Sequence, residues 1–491
     1  MSGRRRMTAC FIAAVVLVYG SSRGGAEVPL PAEMVSAHTL QLGGREIAYS
    51  ATAGSINLRN DKGERTAEIF YVAYILNGAN AALRPITFAF NGGPGAGSAF
   101  LHLGALGPRV LDFGDGRAPP FGERKLVDNP DTWLDFTDLV FIDPVGTGYS
   151  RALISGDDAA KAFLGVRQDL DTLGVVIRLA LASLDRFASP LFLVGESYGG
   201  FRAAKLPAIL ARDQGLQVAG AVMISPVLEF SLMHDDAFNP MSWALRLPSY
   251  AAVNLEAQGK LSDAALREAE RFALGEYLSA FVAPPRDAER QARLYAAIAK
   301  LIGLPEEVVA RWEGTVPLSI FIKEARHGEN ALVSRYDGSV AGMDPAPWAY
   351  TPQSGDPILE GLKAPITAAF VTYARDELKF KVDRSYDLLS SEVNRRWEWR
   401  EGNRFGAPSP SASEDLKQAL AINPRLRVLV AHGMTDLQTP YLASRYVIEH
   451  LPRAVTQDRA QVMLYAGGHM MYLRPESRAK LRADARVLYG E

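Results

Sequence analysis

Short apolar runs with no polar interruption punctuate this chain, and each one ends at glycine or at a polar loop. PITFAFN (85–91) runs into GGPGAG, DLVFID (138–143) into PVGTGYS, and PLFLVGE (190–196) into Ser197. QVAGAVMIS (217–225), LRVLVAH (426–432) and QVMLYA (461–466, before GGHMM) behave alike. A run that does not alternate is a strand buried on both faces, as parallel sheets require. Helical patterns lie between the runs: 166–184 before the third, 198–210 after it, 441–451 after the fifth and the stretch from Pro475 after the sixth. Strand, loop and helix in repetition predict an α/β fold, a mixed but mostly parallel sheet with helices on both faces. Residues 38–50 and 67–77 read as the two strands of an early antiparallel hairpin. Chemistry in such sheets collects at the loops leaving the carboxyl ends of the strands.

The middle of the chain breaks this rhythm. Residues 231–420 carry helical segments such as 262–274 and 285–303, joined by Pro/Gly-rich stretches such as 337–357. They read as a mainly helical cap inserted between two parts of the sheet domain, 27–230 and 421–491. The cluster NRRWEWR (394–400) falls in the cap and reads as a solvated face with snorkelling arginines.

Residues 1–26 stand apart. Arg4, Arg5 and Arg6 precede an apolar core from about Ala9 to Val18, and small residues follow as far as Ala26. This is the layout of a secretory signal peptide cleaved near Ala26, and the core is too short for a stable membrane anchor. An exported, periplasmic or secreted protein is expected. Cleavage removes four arginines and no acid, taking the formal charge from −2 to −6, which gives no electrostatic case for nucleic acid. The single cysteine, Cys10, lies inside the signal. The mature chain is therefore expected to use no disulfide, thiol nucleophile or cysteine metal site. No histidine pair has zinc spacing, and no metal or cofactor is implied.

LVGESYGG (193–200) places Ser197 between Gly195 and Gly199, after a buried strand and before a helix. That is the nucleophile elbow of α/β-hydrolases, a strained turn whose flanking positions must be small. It puts the following amide, that of Tyr198, where it can face a developing oxyanion. The serine needs a base and the base an orienting acid, in the order Ser, Asp or Glu, His. His469, just past a strand in AGGHMMY, is the candidate base, and Asp436 in AHGMTD the candidate acid. His432 ends a strand with no loop of its own and reads as a packed residue. NGGPGAGS (91–98) follows an earlier strand, as a loop carrying the second oxyanion donor must, and lacks the lysine of a phosphate loop.

With NGGPG, GESYGG, HGMTD and GGHMM in this order, and with DTWLDFTDLVFIDPVGTGYS (131–150) between the first two, the chain resembles the serine carboxypeptidase family, peptidase S10. The resemblance covers roughly residues 70–230 and 425–475. It implies an α/β-hydrolase fold, Ser197 as nucleophile, His469 as base and Asp436 as its orienter. It further implies the amides of Gly93 and Tyr198 as oxyanion hole. Asn91, Glu196 and the amide of Gly92 are implied to hold the terminal carboxylate of a peptide substrate, with a proton shared between two carboxyl groups. The chain departs from the family's pattern at Ala105, where eukaryotic members carry a second glutamate, and at Ala96, where a cysteine is usual. A proline-iminopeptidase-like hydrolase, an esterase or an acyltransferase is an alternative on the same fold. A secreted binding protein without catalysis is the non-enzymatic one.

Overall fold

The structure is a computed structural model, and it describes residues 29–122, 124–236, 238–284, 287–400 and 409–490. The expected signal segment 1–26 and residues 401–408 of the expected cap lie outside them.

Nine strands build the main sheet: β1 (Met34–Leu42), β2 (Arg45–Arg59), β3 (Arg65–Leu76), β4 (Ile86–Phe90), β5 (Asp138–Ile142), β6 (Leu191–Glu196), β7 (Val218–Ile224), β8 (Arg427–Gly433) and β9 (Ala460–Tyr465). Their spatial order is β1-β2-β3-β5-β4-β6-β7-β8-β9, and a two-residue strand, Arg151–Ala152, pairs β3 at the side. From β5 to β9 every neighbouring pair is parallel, while β1, β2, β3 and β5 pair antiparallel in turn. The α/β expectation holds. The early hairpin is corrected, because residues 38–50 are not one strand. They hold a turn at Gly43–Gly44, both at positive φ, so β1 and β2 already form a hairpin before β3 arrives.

The two-sided burial inferred from the apolar runs is visible residue by residue. Along β3, Phe70, Val72 and Tyr74 enter one hydrophobic cluster, whereas Ile69, Tyr71 and Ala73 enter the other. The second cluster is closed by α1 (Val166–Ser183), α2 (Tyr198–Ile209), α5 (Ser413–Ile422) and α6 (Tyr441–His450). The first is closed by α4 (Pro357–Asp376) and α7 (Pro475–Tyr489).

The segment expected as one cap divides in its packing. Residues between Trp243 and Val333, including α3 (Pro240–Ala257), form a hydrophobic cluster of their own that also takes in Leu437. Farther on, α4 contributes Ile358, Leu362, Ile366, Phe370 and Tyr373 to the main core on one face, and α5 packs on the other. Helical periodicity shows which side of a helix is buried and is silent about the surface that buries it.

Candidate active site

Four loops meet at the carboxyl ends of β4, β6, β8 and β9 and carry the eight residues singled out above. Ser197 follows β6 directly, with φ 59° and ψ −122°, a backbone conformation that L-residues seldom adopt. Its amide donates to the carbonyl of Ile224 at 2.9 Å, at the end of β7. The turn is tolerated because its neighbours lack side chains. A Cβ on Gly195 would lie 1.9 Å from the Gly199 carbonyl oxygen, and one on Gly199 would lie 2.5 Å from that of Phe90. A Cβ on Gly200 would meet Pro226 at 2.5 Å. All three glycines of the elbow are therefore steric requirements.

The oxyanion loop lies against this turn. A Cβ on Gly92 would fall 2.5 Å from the Tyr198 nitrogen, so the loop passes in backbone contact with the elbow. Gly93, Ser197 and Tyr198 line one cleft of about 450 Å³. The loop is held from behind by Asp143, which accepts from the Ser98 amide at 2.7 Å, the Ser98 hydroxyl at 2.8 Å and the Tyr386 hydroxyl at 3.2 Å. Arg202 on α2 fixes its first residue: it donates to the Asn91 carbonyl at 2.5 Å while making a two-pronged pair with Asp169 on α1 at 2.7 and 2.9 Å.

On the other side, His469 Nδ1 lies 2.9 Å from Asp436 Oδ2. Asp436 is wholly buried and well supplied with donors: the amides of Gln438 and Thr439 at 2.8 and 3.0 Å, and the Thr439 hydroxyl at 2.7 Å. Burial disfavours the charged imidazole of His469, but the carboxylates of Asp436 and Glu196 outweigh it and leave its pKa raised. His432 is packed, as expected. Both its ring nitrogens are buried without a hydrogen-bond partner, and burial lowers its pKa to about 4, so it is neutral.

Glu196 and Asn91 are both buried, and Asn91 Nδ2 donates to Glu196 Oε2. A third residue that sequence reasoning missed completes the group. The Tyr472 hydroxyl lies 2.9 and 3.0 Å from the two Glu196 carboxyl oxygens. Its ring covers Gly104, whose Cβ would come within 2.8 Å of it, while neighbouring Ala105 is a core residue. In this chain the partner of Glu196 is thus a phenol. Burial is the main force lifting the Glu196 carboxyl to about 7. The His469 charge and the Tyr472 and Asn91 hydrogen bonds oppose it, and Asp436 adds to it. The signal for Tyr472 was its place in GGHMMY, on the loop that carries the histidine.

NRRWEWR corrects a second expectation. Its arginines face outward, but Trp397 is buried, and both Trp397 and Trp399 meet the Tyr198 ring edge-on, with centroids 5.5 and 5.7 Å away. The tryptophans back the elbow rather than a solvated surface.

The sequence of residues 46–227 matches the family model for serine carboxypeptidase, Peptidase S10. Two curated relatives are named as a carboxypeptidase and as a serine carboxypeptidase-like protein. Pheromone-processing carboxypeptidase KEX1 of Cryptococcus gattii is 32% identical over 127 residues, 25% of this chain and 17% of that protein. Serine carboxypeptidase-like 51 of Arabidopsis thaliana is 36% identical over 141 residues, 28% of this chain and 26% of that protein. The match thus spans about a quarter or less of the length of these serine carboxypeptidase relatives. Among solved structures, a proline iminopeptidase from Mycobacterium smegmatis aligns with 92% of this chain and 99% of its own, at 14% identity and a TM-score of 0.35. VinJ aligns with 88% and 97%, at 13% identity and a TM-score of 0.38. Among the described residues no helix is long and apolar enough to cross a membrane.

Proposed function

We propose that the protein is an exported serine carboxypeptidase that removes residues from the free C-terminus of peptides. The observation that carries this reading is a strained serine elbow at the end of β6 together with a buried Asp436–His469 pair on the loops after β8 and β9 of the same parallel run of strands. Ser197 Oγ attacks the carbonyl carbon of the last peptide bond, and His469 takes its proton. Asp436 holds the imidazole tautomer and stabilises the imidazolium. The amides of Gly93 and Tyr198 take up the charge on the carbonyl oxygen. The C–N bond breaks, His469 passes the proton to the leaving amine, and an acyl-enzyme remains. Water then attacks that ester by the same route, releasing the shortened peptide and restoring Ser197.

Glu196, supported by Asn91 and the Gly92 amide, would supply the terminal specificity. A neutral Glu196 carboxyl donates a proton to the substrate carboxylate, which an ionised one would repel. Its raised pKa keeps that neutral form present up to about pH 7. The test is mass spectrometry of a peptide mixture incubated with wild type and with Ser197→Ala. Stepwise loss from C-termini is expected with wild type and none with the variant, and C-terminally amidated peptides should survive both. Loss from N-termini, or equal cleavage of amides, would overturn the reading.

A further inference from the structure

The cleft that holds Ser197 and the two oxyanion amides is also lined by three charged residues from the inserted segment: Arg246, Asp235 and Arg335. Arg246 is buried and spends its charge on Asp235 and the Met233 carbonyl, which accepts from Nη2 at 3.0 Å. Among the described residues its Nε has no hydrogen-bond partner. Arg335 differs. It is exposed at the cleft, and among the described residues its guanidinium makes no ion pair or hydrogen bond. Its backbone is fixed on both sides, the amide donating to Asp356 Oδ2 at 2.7 Å and the carbonyl accepting from the Leu437 amide at 3.1 Å. The Asp356 carboxylate is itself taken up by the Ser334 hydroxyl and by the amides of Ile358 and Leu359 at the start of α4. One cation is therefore left uncompensated in the cleft.

The geometry points to Arg335 as a specificity-determining residue that selects substrates with an acidic side chain on the acyl residue, the glutamyl or aspartyl residue whose carbonyl Ser197 attacks. The assignment to the acyl side rests on the function proposed above. There the leaving residue's carboxylate goes to Glu196 and Asn91, which are buried and are not among the residues lining this cleft. What the cleft receives is the remainder of the substrate. Arg246 extends the same preference, since its Nε–H can donate a hydrogen bond to a carboxylate that reaches past Arg335.

Esters separate this inference from the reading beneath it, because an ester needs no C-terminal carboxylate. We compare N-acetylated glutamyl, glutaminyl and lysyl p-nitrophenyl esters, which share one leaving group. Wild type is expected to favour glutamyl over glutaminyl roughly five- to tenfold in kcat/KM at low salt, less at 0.5 M salt, as an exposed charge pair should. Arg335→Lys should keep part of that ratio, Arg335→Gln should bring it to about one, and Arg335→Glu should turn it in favour of lysyl. Absence of a glutamyl preference, absence of ester turnover, or an equal loss on all three esters in Arg335→Gln overturns the proposal. So does an Arg335→Gln defect confined to free-acid peptides, which would make Arg335 the reader of the terminal carboxylate. If glutamyl esters are preferred but no peptide is trimmed, Arg335 keeps this role and the carboxypeptidase reading falls.

Discussion

Glu196 and Tyr472 make pH the sharpest probe of individual residues. In the proposed function Glu196 must be neutral to hold a substrate carboxylate, and its pKa is lifted to about 7, chiefly by burial. The base beside it must be neutral to accept a proton and has its own pKa raised. Low pH therefore disables His469, and pH above about 7 disables Glu196, so kcat/KM for free-acid peptides should be bell-shaped with its maximum near neutrality. A maximum well below pH 5 would contradict this. In Glu196→Gln the amide donates a hydrogen bond at every pH, so the rise of KM above pH 7 expected of wild type should vanish; KM titrations across pH 6–9 check it. Tyr472→Phe removes a hydrogen bond that favours the charged form of Glu196. The alkaline limb should then move upward by about one pH unit, the size expected for a hydrogen bond to a charged group. Sequence sets Glu196 beside the serine but could not supply Tyr472. A tyrosine in a loop has no periodicity, and what it touches is set by how β9 and the helix after it return to the sheet. Ser197→Ala should lose all labelling by a fluorophosphonate and about 10⁴- to 10⁶-fold in kcat, as triad serines do.

The elements that hold the site do so largely by crossing without side chains. Tyr336 O accepts from the His469 amide at 2.5 Å, and Gly338 N donates to the Thr435 carbonyl at 3.0 Å, so residues 334–340 strap both catalytic loops. This passage requires Gly468, whose Cβ would sit 2.0 Å from the Tyr336 oxygen and 2.4 Å from Asp337 Cα. Since both obstacles belong to the backbone, Gly468→Ala has to displace the strap. It should cost about 1–3 kcal/mol, visible as a fall of a few degrees in Tm, and lower kcat/KM about 100-fold. Gly275→Ala, with nothing within 4 Å of its Cβ, should change neither by a comparable amount. The strands were legible because each carries two apolar faces. β1 and β2 were not separated, because the feature dividing them is a turn of only two glycines, Gly43 and Gly44. The strap overlaps only the start of the Pro/Gly-rich joint 337–357, and its importance lies in backbone groups that no residue type announces.

Across the whole molecule, charge is buried in a few places that tie distant segments together. Asp169 and Arg202, from α1 and α2, form a buried pair that also holds the oxyanion loop. Asp169→Asn would leave the guanidinium without its counter-charge. It should cost about 3–5 kcal/mol, measurable as a lower urea midpoint with an unchanged m-value. The order of strands and motifs along the chain was enough to assemble the site from segments far apart. How the inserted segment distributes itself, part on its own core and part on both faces of the sheet, could not be read from its helices taken singly. Arg474 marks the junction: it donates to Glu256 on α3 at 2.8 Å and to Asp337 in the strap at 3.1 Å, while lying on the loop that brings in His469. The strap therefore makes the machinery conditional on the insert's having folded. A copy whose sheet is complete but whose insert is still loose has a His469 loop whose backbone amide lacks the Tyr336 carbonyl that holds it. Correct placement of His469 thus comes late in assembly, after the inserted segment has docked on the sheet.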